Sequence, residues 1–124
     1  MDEKKPLILA VDDNPVNLTL LRSQLRFEPY EVITATSGEE ALAMIEERRP
    51  DVVLLDIMMP DMDGYEVLTC IRENPATEEL PVIMLTALTE FEHQAEATMA
   101  GANGYLTKPL VMSLLVEELD KLFK

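Results

Sequence analysis

Five short apolar runs recur along the chain, and they limit its fold more than any other feature: Leu7-Ile8-Leu9-Ala10-Val11, Val32-Ile33-Thr34-Ala35, Val52-Val53-Leu54-Leu55, Val82-Ile83-Met84-Leu85 and the weaker Gly104-Tyr105-Leu106. A strand covered on one face alternates apolar and polar residues, whereas a strand covered on both faces does not. The first, third and fourth runs are uninterrupted, so they read as inner strands of a parallel sheet sandwiched between helices. All fall far short of the about 20 apolar residues that cross a bilayer, so no membrane span is expected.

The segments between the runs open with helix-start chemistry. Asn14-Pro15 pairs an N-cap with a proline at the first helical position. Ser37-Gly38-Glu39-Glu40 and Thr89-Glu90-Phe91-Glu92 read as capping boxes, and Asp63-Gly64-Tyr65-Glu66 has the same spacing. Near the end, Leu115, Leu119 and Leu122, with Val111, Leu114 and Val116, form a broad apolar stripe that runs to Phe123. These signals predict helices at 15–27, 38–48, 64–73, 89–100 and 112–123. Strand and helix alternate five times, which predicts an α/β fold: a doubly wound (βα)5 parallel sheet with helices on both faces. The stretch from Glu73 to Pro81, with Pro75 inside it, is expected to be a surface loop. Residues 1–124 fill one core and are expected to form a single domain, with any output module outside this chain.

Composition then narrows the function. With 24 Asp+Glu against 10 Lys+Arg, a net charge of −14, the chain is unsuited to direct contact with nucleic acid and better suited to a cation or a basic partner. The single Cys70 cannot close an intrachain disulfide and no leader opens the chain, so a cytoplasmic location is expected. Cys70 itself, near Val67 and Ile71, is expected to be a small buried residue.

Polar residues collect where the strands end. Asp12 and Asp13 follow the first run, Asp56 the third, Thr86 the fourth and Lys108 the fifth. In an open α/β sheet ligands bind beyond the carboxyl ends of the strands, so these side chains should converge on one crevice. Three carboxylates brought together repel one another, and a divalent cation relieves the conflict. The donors are all oxygen, with no His or Cys near the strand ends, which points to Mg2+. Lys108 offers a point charge for an anionic oxygen and Thr86 a hydroxyl donor. Together they describe a phosphoryl site with a carboxylate nucleophile, a metal clamp and a cationic counter-charge.

Four motifs carry a family resemblance: Val11-Asp12-Asp13-Asn14, the stretch from Leu54-Leu55-Asp56 through Met58-Met59-Pro60 to Asp63-Gly64, Leu85-Thr86-Ala87, and Gly104-Tyr105-Leu106-Thr107-Lys108-Pro109. In their order and spacing the chain resembles, over essentially its full length, the receiver domain of two-component response regulators. The resemblance implies a flavodoxin-like sheet of order 2-1-3-4-5. It also implies that Asp56 is the phosphoacceptor for a phosphohistidine on a sensor histidine kinase or histidine phosphotransfer protein. Asp13, Asp56 and the backbone carbonyl of Met58 would hold Mg2+, with Asp12 acting mainly through water. Lys108, Thr86 and the Ala87 N–H would hold the phosphoryl oxygens. Thr86 and Tyr105 would relay the change to the face made by the helix at 89–100, the fifth strand and the helix at 112–123, which meets a downstream output protein or domain. The Lys108–Pro109 bond is expected to be cis. Such a domain catalyses its own phosphorylation and dephosphorylation, but its primary role is signalling. Asn14-Pro15-Val16-Asn17 resembles receivers of hybrid kinases and multidomain regulators.

Departures from the family pattern matter as well. Met58 and Leu88 are apolar at positions that vary among receivers, and neither can orient an attacking water by a strong hydrogen bond, so slow self-dephosphorylation is expected. No Arg follows Arg72, and the charged residues of the last two expected helices are mostly acidic, which makes dimerisation through interleaved ion pairs hard to build. Two other readings stand beside the switch. One is a receiver that binds its partner without phosphorylation. The other is a phosphatase with an aspartyl nucleophile, but enzymes of the haloacid dehalogenase type need a second Asp where Met58 stands. His93 reads as a surface residue, Asp61-Met62-Asp63-Gly64 fails as a calcium loop at Met59 and Cys70, and Gly101-Ala102-Asn103-Gly104 reads as a helix cap and turn.

Overall fold

The computed structural model describes residues 5–86, 101–107 and 110–123. The expected helix at 89–100 with His93, together with Ala87, Leu88, Lys108 and the Lys108–Pro109 bond, lies outside the described residues. The apolar runs form parallel strands β1 (Leu7–Val11), β2 (Glu31–Ala35), β3 (Val52–Asp56), β4 (Val82–Thr86) and β5 (Gly104–Thr107). Their spatial order is β2-β1-β3-β4-β5, the flavodoxin-like arrangement. Every residue of β3 and β4 is buried, whereas β2 and β5, at the two edges, are mostly half-buried. That difference is why the inner runs are uninterrupted and the β5 run is weak.

The described helices are α1 (Pro15–Leu25), α2 (Gly38–Arg48), α3 (Gly64–Glu73) and α4 (Met112–Phe123). None of them is long and apolar enough to cross a membrane. The pleat divides each inner strand between two cores. Ile8 and Ala10 face α1 and α4, where they meet Leu18, Leu21 and Leu115. Leu9 and Val11 face α2 and α3, where they meet Ile45, Val67 and Leu68. At about 0.8 kcal/mol per buried methylene, these two apolar layers hold the sheet.

Capping follows the sequence with one change. The Asn14 side chain accepts from the Val16 N–H at 2.9 Å, with Pro15 opening α1. Asp63 and Glu66 close a reciprocal box on α3. At α2, Ser37 accepts from the Glu40 N–H, but Glu40 reaches past Ser37 and accepts from the Thr36 N–H at 2.6 Å. Helix α1 stops at Leu25 rather than Phe27, since Pro29 disfavours a helical Glu28 and the Glu28 N–H turns back to the Leu25 carbonyl at 3.0 Å. Cys70 is exposed, not buried. The buried stripe of α3 is Gly64, Val67, Leu68 and Ile71, and at 3.6 residues per turn Cys70 lies about 100° from its centre.

The loop between α3 and β4 is pinned by Arg72. Its Nη1 donates to the Leu80 carbonyl at 2.7 Å, and its Nε and Nη2 donate to the Gly101 carbonyl at 3.0 and 2.7 Å. Nη2 also reaches Asn103 Oδ1 at 2.9 Å, an oxygen that accepts from the Val82 N–H as well. Burial lowers the pKa of Arg72 from its ordinary value. Gly101 has a φ of +98°, which favours glycine, and a Cβ there would also crowd Arg72 Nε at 3.1 Å.

Candidate functional site

The carboxyl ends of β1, β3 and β4 gather the polar residues. Val11 pairs with Leu55 and Asp56 pairs with Leu85, so Asp12 stands level with Asp56 and Thr86 one step beyond it. One carboxylate oxygen from each of Asp12, Asp13 and Asp56 lies within 4.8 Å of the others. Asp12 and Asp56 are 6% and 4% exposed and Thr86 is fully buried, while Asp13 is open to solvent. The cluster therefore has a buried floor and one exposed carboxylate at its mouth. Like charges this close favour a counter-ion, and an all-oxygen set of this kind fits a hard divalent cation such as Mg2+.

Local structure fixes each carboxylate differently. Asp12 lies just ahead of α1, whose N-terminal dipole favours negative charge. Its Oδ1 accepts from the Asn14 N–H at 2.9 Å and its Oδ2 from Asn17 Nδ2 at 3.2 Å. Asp56 is the last residue of β3 and hands the chain to a loop held on both sides of Met58: Ile57 and Met59 are buried, and Met58 is 61% exposed. The Gly64 N–H closes that loop on the Ile57 carbonyl at 2.9 Å. A Cβ on Gly64 would stand 2.5 Å from the Asp56 carbonyl oxygen, so only glycine lets α3 begin this close to the end of β3.

Of the residues singled out from sequence, Asp12, Asp13 and Asp56 form one cluster, with Thr86 at the adjoining strand end. Tyr105 sits on β5 opposite Met84, half-buried against the core shared with α2 and α3. Lys108 and Ala87 lie outside the described residues. Sequence reasoning gave Asn17 no role in the site and did not foresee the close approach at Gly64. Asn17 falls three residues after the Asn14 cap and five after Asp12, a spacing that brings an amide back beside that carboxylate.

The profile of the response regulator receiver domain matches residues 8–120. Response regulator PleD of Caulobacter vibrioides is 44% identical over 103 residues, which cover 83% of this chain and 23% of that protein. Transcriptional regulatory protein PrrA of Mycobacterium tuberculosis is 39% identical over 119 residues, 96% of this chain and 50% of its own length. The chain thus spans half or less of these two relatives. Among solved structures, chemotaxis protein CheY4 of Vibrio cholerae superposes with a TM-score of 0.90 at 34% identity, covering 97% of this chain and all of that one. Sequence profile and backbone agree over nearly the whole length, and the chain belongs to the response regulator receiver domain family.

Proposed function

We propose that the chain is a phosphorylation-activated switch of a two-component phosphorelay, folded as one domain over residues 1–124 and working in the cytoplasm. The observation that carries this reading is the convergence of Asp12, Asp13 and Asp56 within 4.8 Å at the ends of β1 and β3. A carboxylate oxygen of Asp56 attacks the phosphorus of a phosphohistidine on a sensor histidine kinase or phosphotransfer protein. The new O–P bond forms as the P–N bond breaks, and the imidazole nitrogen leaves with the electron pair. Asp13, Asp56 and the Met58 carbonyl would hold Mg2+, with Asp12 acting on it mainly through water. When bound, the ion neutralises charge on the carboxylates and the transferring group. Lys108 would supply the counter-charge, and Thr86 with the Ala87 N–H would hold phosphoryl oxygens.

The switch uses the same residues. Thr86 is fully buried, so drawing its hydroxyl toward a phosphoryl group on Asp56 opens space beside β5, and Tyr105 turns into it. The face that includes β5 and α4 then changes its preference for an output partner, as a shift between two populations. Intact mass after incubation with acetyl phosphate tests the reading. The wild type gains one phosphoryl group only with Mg2+, and Asp56→Asn gains none. The label on wild type persists for minutes or longer, because exposed Met58 offers no strong hydrogen bond to an attacking water; loss within seconds would overturn that last point. If no label forms, the chain is a receiver that binds its partner without phosphorylation.

A further inference from the structure

We infer that Asn17 is a positioning residue of the acidic cluster, holding the Asp12 carboxylate in a fixed plane without neutralising it. The inference rests on the cation site proposed above. At a helix start the third residue ordinarily reaches back to the N–H of the cap. In α1 that N–H belongs to Asn14 and is taken by Asp12 Oδ1 at 2.9 Å, and the third residue, Asn17, donates its amide to Asp12 Oδ2 at 3.2 Å. One helix turn thus holds both oxygens of one carboxylate. A carboxyl group held at one oxygen still rotates about its terminal torsion, which is broad and roughly two-fold, whereas two donors remove that rotation.

The chemistry of the donor matters as much as its place. A lysine or arginine at this position would cancel the charge that attracts a cation, and a carboxylate would add a fourth like charge to the cluster. An amide donates while staying neutral, so it adds no charge of either sign to the cluster. Asn17 is exposed, and its backbone N–H is already satisfied by the Asn14 carbonyl at 3.1 Å. Neither burial nor the helix itself therefore requires an amide there.

The test is a calorimetric titration of the intact chain with Mg2+, comparing wild type, Asn17→Leu and Asn17→Gln, beside thermal unfolding of each without metal. Leucine matches the size of asparagine but has no donor, and glutamine keeps the amide. Asn17→Leu is expected to weaken Mg2+ binding about threefold to tenfold, at or below the low end of the effect usual for groups that orient metal ligands. Unfolding without metal stays near wild type, and Asn17→Gln recovers most of the affinity. Unchanged affinity in Asn17→Leu, or equal weakening in both variants, overturns the inference while leaving the cation site intact. A wild type that binds no divalent cation overturns the site and the inference together.

Discussion

The two ends of the sheet handle charge in opposite ways. At the amino ends of β4 and β5 the Arg72 guanidinium is shared among the Leu80 and Gly101 carbonyls and the Asn103 side chain. At the carboxyl ends of β1 and β3 three carboxylates crowd within 4.8 Å, two of them buried. The first arrangement satisfies a half-buried charge with neutral dipoles and holds a loop in place. The second concentrates like charge, which opposes folding and favours a cation. A stabilising contact and the proposed phosphoryl site are thus separated along the strand direction, as expected where parallel strands direct loops of different kinds to each end.

Substitutions at each end can break this contrast. The largest effect is the complete loss of phosphoryl labelling in Asp56→Asn, read by intact mass, with the fold retained. Next, Arg72→Met leaves carbonyls without donors and should cost about 2–4 kcal/mol in urea unfolding, while folded protein still labels at Asp56. If labelling fell and stability did not, the two ends would be coupled. Gly64→Ala should cost about 2 kcal/mol and also slow labelling, because the new methyl meets the Asp56 backbone, at 2.5 Å.

Tyr30 offers a smaller test on the stabilising side. Its hydroxyl donates to Asp120 Oδ1 at 2.8 Å, tying the start of β2 to α4. Burial, with the Asp120 carboxylate beside it, pushes its pKa up to about 12. The folded state therefore binds the phenolic proton more tightly than the unfolded chain, whose tyrosines titrate near 10. This contribution is full below about pH 10 and is lost as pH rises through about 12. Tyr30→Phe should cost about 1 kcal/mol at pH 7 and remove that alkaline slope, both read from unfolding curves across pH. Smallest and opposite in sign, Asp13→Asn should raise stability without metal by a few tenths of a kcal/mol by relieving repulsion, while weakening Mg2+ binding. A destabilised Asp13→Asn would show that the exposed carboxylate also supports the fold.

Much of this was legible in the residues, for physical reasons that differ by element. Uninterrupted apolar runs marked β1, β3 and β4 because both faces of an inner strand are covered, and Asn14 and Asp63 marked helix starts because their side chains accept from the backbone of the first turn. The acidic cluster was legible for a related reason: a parallel sheet brings its strand ends together, so Asp12, Asp13 and Asp56 had to meet. Cys70 misled because a residue adjoining an apolar stripe in sequence can lie about 100° off it in space.

The chain by itself determined which segments are strands and helices, which face of each is apolar, and which charges fall at strand ends. All of these depend on spacings within one element or its cap. Only the tertiary structure decided which partners distant groups meet: Arg72 with the Gly101 carbonyl, the Tyr30 hydroxyl with Asp120, and the room at Gly64 for the Asp56 backbone. Such contacts depend on how elements pack against one another, and local periodicity does not record that.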